Sequence, residues 1–380
     1  MKKVKYKPLL LVLAVLQLIA CNGPQQANKE MLKDAFTGKF YIGTALNEWQ
    51  ITGRDTASLN VTKEHFNAIV AENCMKSGEI QPEEGVFDFS LADKFVDFGE
   101  QHNMFITGHC LIWHSQAPKW FFTDSLGNDV SREVLIGRMK THIETVVGRY
   151  KGRIKGWDVV NEAIVEDGSF RKSKFYQIVG EDFIKLAFQF AHEADPDAEL
   201  YYNDYNEWYP GRRDAIVAMI KKFKADGIRI DGIGMQGHIG MSGPSIEEYE
   251  EAIMAYANEG MKVMVTELDM SILPNPSFGD LGADISTNFE YRKEINPYED
   301  GIVPLEKQNE WDSRMVEFFN LFLKHSDDIT RVTLWGVNDR ISWKNNFPVR
   351  GRTDYPLLFD RENQPKSIVG KLIDLAKQTK

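Results

Sequence analysis

The chain has 380 residues, 45 Lys+Arg against 56 Asp+Glu, and is 43% hydrophobic and 12% aromatic. That is too apolar for a disordered chain and suits either one large α/β barrel or two medium domains. A net charge of −11 excludes the basic stripe of a nucleic-acid surface, and three cysteines exclude a disulfide framework.

Lys2, Lys3, Lys5 and Lys7 precede an apolar run from Leu9 to Ala20 that ends at Cys21. A basic start followed by a short apolar core is the pattern of an export signal, and it is short for a membrane span. Leu18-Ile19-Ala20-Cys21 resembles the bacterial lipobox, which implies a signal over residues 1–20 and lipidation at Cys21. Residues 21–37 are expected to form a tether and 38–380 a single catalytic unit. The expectation is an exported lipoprotein of the cell envelope, at the outer membrane surface or its periplasmic face, and monomeric.

From Phe40 onward, short apolar segments alternate with helical patterns. Strands are expected near Phe40–Leu46, Ala68–Met75, Met104–Trp113, Ile154–Ile164, Glu199–Asn206, Ile230–Ile239, Lys262–Met270 and Ile329–Val337. Between them, Ser131–Tyr150, Gly211–Asp226 and Leu305–His325 show apolar stripes at helical spacing, and Lys366–Lys377 closes the chain. Ser245 with Glu247 and Glu248 marks a helix start, and Gly260 its stop. Eight alternations without a Gly/Ser/Pro linker point to one (β/α)₈ TIM barrel, with a doubly wound sheet as the alternative. The stretch 271–304 is polar, dotted with Gly and Pro, and long for a loop, so it is expected as an insertion on the active face.

Period-2 parity groups the polar residues at the strand exits. Val263, Val265, Glu267 and Asp269 should share one face, as should Gly234, Gln236 and His238. The same holds for Thr107, His109, Leu111 and Trp113, and for Thr333, Trp335 and Val337. So many ionisable and aromatic groups at strand ends would converge on one pocket, because buried charge is costly without a role. Glu162 and Glu267 stand out. A carboxylate pair across a cleft is what glycosidic cleavage needs, one donating a proton and the other attacking or stabilising the cationic centre.

Here the motifs become specific. Trp157-Asp158-Val159-Val160-Asn161-Glu162, Thr266-Glu267-Leu268-Asp269, Gly108 to His114, Gly234 to Ile239, and Trp335 to Trp343 occur in one order. The sequence resembles glycoside hydrolase family 10 endo-1,4-β-xylanases over essentially everything after the tether. The resemblance implies a retaining (β/α)₈ enzyme acting on xylan and xylo-oligosaccharides. It implies Glu162 as general acid/base and Glu267 as nucleophile, with their carboxyl groups about 5–5.5 Å apart. The two roles need Glu162 protonated before attack and Glu267 ionised.

In the same way, His238 and Asp269 would support Glu267, and Asn161 would contact the sugar's 2-hydroxyl. His109, Gln236, Trp113 and Trp335 would line the subsite of the sugar being cleaved. Glu72, Asn73 and Lys76 match a glycone-side polar set, and Trp343 matches an aromatic that refuses a hydroxymethyl group. Tyr205 and Asn206 match aglycone positions, whereas His114 and Trp49 are expected to be structural. One departure is Ser77, where the family usually has Trp, which puts the glycone wall in question. No metal-ligand spacing or phosphate loop occurs, so neither metal nor cofactor is expected, and Cys74 and Cys110 are taken as bystander thiols. A barrel cellulase and a catalytically inert glycan-binding lipoprotein are the competing expectations.

Overall fold

The computed structural model describes residues 1, 30–274 and 293–379. Among the described residues there are nine parallel strands: β1 Tyr41–Leu46, β2 Ala68–Ala71, β3 Phe105–Trp113, β4 Gly156–Asn161, β5 Glu199–Asp204, β6 Gly232–Met235, β7 His238–Gly240, β8 Lys262–Ser271 and β9 Ile329–Leu334. The hydrogen-bonded order is β6-β5-β4-β3-β2-β1-β9-β8, and a β6–β8 pairing closes the ring. This is the expected eight-stranded barrel, and the doubly wound alternative is excluded by closure. The ninth strand arises because the expected sixth strand is interrupted at Gln236-Gly237. Gly237 adopts φ +77°, which ends the run and lets β7 pair with β8 alone.

The helices fall where their stripes put them. Arg132–Arg149 starts at Ser131, whose side chain accepts from the Val134 N–H. Ile246–Ala257 carries a capping box between Ser245 and Glu248, and Gly260 at φ +70° follows its end. Their apolar faces close on the outer surface of the sheet in one core that includes Trp157, Trp311, Phe188 and Phe318. Each such side chain contributes about 1.5–3 kcal/mol by burial.

The packed unit reaches back into the stretch expected as a tether. Leu32–Ala35 is helical, and Leu32 and Phe36 are fully buried, the latter against Phe40 and Phe319. Two apolar anchors in this short stretch tie it to the core, so residues 31–37 belong to the fold. Cys21 lies outside the described residues. So does 275–292 of the insertion, with Phe278, Phe289 and Tyr291. Of its remainder, Asn296 is buried and its Oδ1 accepts from the Thr353 N–H at 2.9 Å, while the Tyr298 carbonyl accepts from the Tyr355 hydroxyl. This end of the segment packs on the loop that follows β9.

Strict parity fails at three strand exits. The β8–β9 register shifts between Val265 and Leu268. As a result the consecutive residues Thr266 and Glu267 both reach the same Asn203 side chain, while Val263 and Val265 pack in the main apolar core. On β3 the register shifts between His109 and Ile112, and Leu111 joins that core instead of the polar face. β9 ends at Leu334, so Trp335 and Val337 lie beyond it. Trp335 meets His109, and Val337 packs in the core.

Candidate active site

All strands are parallel, so their carboxyl ends open on one face, and the charged residues gather there. Glu162 follows the last residue of β4 with φ +57°, a left-handed conformation unusual for a residue with a Cβ. Its Oε1 accepts from Asn161 Nδ2 at 3.3 Å and from Gln236 Nε2 at 3.1 Å. Its Oε2 is buried and has no hydrogen-bond partner among the described residues. One oxygen is thus held while the other is left to act.

Glu267 sits on β8 with both oxygens held. Asn203 Nδ2 donates to Oε1 at 2.8 Å, and His238 Nε2 lies 3.2 Å from Oε2. Asn203 Nδ2 also donates to Asn161 Oδ1 at 2.8 Å, so a short chain of amides links one carboxylate to the other. A Cβ on Gly234 would collide with the Asn203 amide oxygen, which is why glycine occupies that β6 position.

Electrostatics separate Glu267 and Asp269 from ordinary buried acids. His238 Nδ1 lies 3.0 Å from Asp269 Oδ1, so the imidazole stands between two acids. Burial alone would lower its pKa, but Asp269 and Glu267 outweigh burial and raise it to about 9. Both ring nitrogens therefore carry protons at neutral pH. Burial likewise works to raise Glu267, yet the His238 hydrogen bond, the nearby charges of His109 and His238, and the Asn203 amide hold it below the usual carboxylate range. Asp269 is held low in the same way, against burial, by His238, Lys344 and the Trp343 N–H.

Around this pair, His109 Nδ1 meets Asp158 Oδ2 at 2.8 Å, and its ring lies edge-on to Trp335. Trp343 donates from Nε1 to Asp269 Oδ2 at 2.7 Å and stacks on Phe347. Lys76 donates to Asn73 Oδ1 and Gln116 Oε1 and lies over the Trp113 ring, while burial pushes the Glu72 carboxyl up against the pull of Lys76.

Residues 31–374 match the family described as Glycosyl hydrolase family 10. The chain is 52% identical to endo-1,4-beta-xylanase A of Xylanibacter ruminicola, over 92% of this chain and 94% of that protein. It is 40% identical to an endo-1,4-beta-xylanase of Geobacillus stearothermophilus, over 90% and 98%. A GH10 endoxylanase retrieved from a sugarcane soil metagenome superposes with TM-score 0.86 at 46% identity, covering 92% of this chain and all of that one. The chain belongs to glycosyl hydrolase family 10.

The structure brings most of the expected residues together. Glu162, Glu267, His238, Asp269, Asn161, Gln236, His109, Trp335 and Trp343 are linked through Asn203 and the Trp335–Trp343 contact. Glu72, Asn73, Lys76 and Trp113 form a second group, with Trp113 in register with Asn161. Asn206 donates to Glu166 and lines a cavity of about 710 Å³ together with His238, Tyr209, Lys344 and Phe347. Tyr205 is buried, its hydroxyl accepts from Arg171 and its ring lies under Arg212. Ser77 is buried, and its neighbour Gly78 donates its N–H to the Gln116 carbonyl at 3.1 Å. The loop after β3 thus packs against the turn that carries Ser77. His114 packs edge-on to Trp113 as a structural residue, but Trp49 is 61% exposed and packs into no core. Cys74 and Cys110 are buried free thiols, the former pushed up to about 12 by burial.

Sequence reasoning missed Asn203, Asp158, Thr266 and Gln116. Asn203 and Asp158 are buried polar residues inside strands, a signal already visible next to Tyr205 and in the Glu162 motif. Thr266 was hidden by the bulge, and Gln116 lies in a loop with no periodicity.

Proposed function

We propose that this chain is a retaining endo-1,4-β-xylanase in which Glu162 is the general acid/base and Glu267 the nucleophile. The observation that carries the assignment is the asymmetry of the two carboxyls. Glu267 is held ionised with both oxygens engaged by His238 and Asn203, as an attacking carboxylate should be. Glu162 keeps one oxygen unengaged for proton transfer. In the first step Glu267 attacks the anomeric carbon while Glu162 protonates the departing oxygen. In the second, Glu162 takes a proton from water, which displaces Glu267 and restores the original configuration. Asn161, tied between Asn203 and Glu162, is placed to meet the 2-hydroxyl.

Specificity for xylose follows from Trp343. Its indole is pinned by Asp269 at the N–H and by Phe347 at the ring, so it cannot swing away from a hydroxymethyl group. The wild-type chain is expected to release reducing sugar from xylan at least about 10²-fold faster than from a soluble cellulose derivative. Equal rates on both polymers would favour a cellulase, and no release from either would leave only glycan binding.

The lipid anchor rests on the sequence around Cys21. Expressed in a bacterium, the full chain is expected to take up labelled fatty acid and partition into membranes, and Cys21→Ala to do neither. Unaltered labelling of the variant would remove the anchor from this reading.

A further inference from the structure

Behind the acid/base lies a group of buried polar residues that takes no part in the steps above. Tyr202, Asp204 and Arg212 are each fully buried. The Tyr202 hydroxyl accepts from the Ala163 and Ile164 N–H groups, both at 3.0 Å, and donates to Asp204 Oδ2. A phenol has one proton and two acceptor positions, so this hydroxyl is saturated. Asp204 Oδ1 accepts from the Tyr205 N–H at 2.9 Å and stands 3.7 Å from Arg212 Nε. Arg212 in turn donates to the Ile164 carbonyl at 2.8 Å.

Every one of these bonds ends on the two residues that follow Glu162 or on the group that orients Tyr202. Glu162 itself has a positive φ, and such a conformation persists only where its surroundings over-determine it. A turn freed from these contacts would relax, leave two buried N–H groups unpaired and carry Glu162 Oε2 away from its aim.

We infer that Tyr202, oriented by Asp204 and Arg212, is the positioning residue that holds the acid/base turn in register for proton transfer. The inference rests on Glu162 being the acid/base. It makes a prediction that general damage to the fold would not. Proton donation matters for a poor leaving group and little for a dinitrophenolate, which departs unassisted.

The test compares kcat/KM on xylotriose with that on a dinitrophenyl β-xylobioside. Tyr202→Phe is expected to lose about tenfold or more on xylotriose, the scale of a hydrogen-bond network breaking, and less than twofold on the dinitrophenyl substrate. Equal loss on both, or no loss on either, overturns the inference. Asp204→Asn, which keeps an acceptor for Tyr202 but removes the charge, is expected to show the same selectivity to a smaller degree. It decides the matter if Tyr202→Phe does not fold, and equal loss on the two substrates then overturns the inference. Glu162→Ala on the same pair separates the two readings. Selective loss there, with none in the Tyr202 and Asp204 variants, overturns the positioning role alone, whereas no selectivity in Glu162→Ala overturns the acid/base assignment and this inference with it.

Discussion

Glu267→Ala is expected to lower kcat on xylan by at least about 10⁴-fold, the scale of removing an enzymic nucleophile, and added azide should restore turnover with inverted product. The reasoning is geometric. Truncation leaves a space where His238 and Asn203 formerly held a carboxylate, and a small anion in that space attacks the anomeric carbon once. Glu162 still protonates the leaving group, so a single displacement completes the reaction and the configuration inverts. Glu162→Ala differs in kind. Glu267 still forms the covalent intermediate, azide then displaces it, and two displacements give a retained glycosyl azide. NMR of the azide's anomeric centre with an aryl xylobioside distinguishes the two. If the Glu162 variant gives the inverted azide and the Glu267 variant the retained one, the roles are exchanged.

His238→Gln is expected to reduce kcat by about 10²-fold, the scale of a lost charge-assisted hydrogen bond, and to change two pH dependences. The imidazolium is one of the charges that hold Glu267 low, so a neutral amide lets burial raise the carboxyl. The nucleophile must be ionised, and the acid limb of kcat/KM therefore moves to higher pH. The stability profile changes too. A folded value of about 9 against 6.5 when unfolded corresponds to roughly 3 kcal/mol from the protonated ring. Because the folded value is the higher one, that contribution is complete below pH 6.5 and is lost as pH rises through 9. Denaturant titrations should show wild-type stability declining across that window and the variant lacking the decline. An unchanged acid limb together with an unchanged slope would mean that His238 is neutral in the folded protein.

The motifs around Glu162 and Glu267 are contiguous stretches at strand exits, so chain-local patterns were enough to place both at one mouth once eight alternations were counted. The same holds for the helix starts at Ser131 and Ser245, whose caps involve residues three apart. Parity was less reliable, because a one-residue bulge depends on the neighbouring strand and leaves no periodic trace. Thr266 was missed, and Val263, Val265 and Leu111 were misplaced, for that reason. Tyr205 was expected on the aglycone side beside Asn206; what the sequence did not show is that Arg171 bonds its hydroxyl and Arg212 lies over its ring.

By itself, the sequence pointed to eight strand–helix units and to Glu162 and Glu267 at strand exits, since both readings depend on residue types at short, regular spacing, and the family resemblance supplied their expected roles. Only the tertiary structure decided that Glu267 has both oxygens engaged while Glu162 keeps one without a partner among the described residues, that His238 stands between Glu267 and Asp269, and that Tyr202 bonds the turn behind Glu162. Those features rest on groups from different strands meeting within hydrogen-bond distance after the ring has closed, and on burial that magnifies each charge once water is excluded.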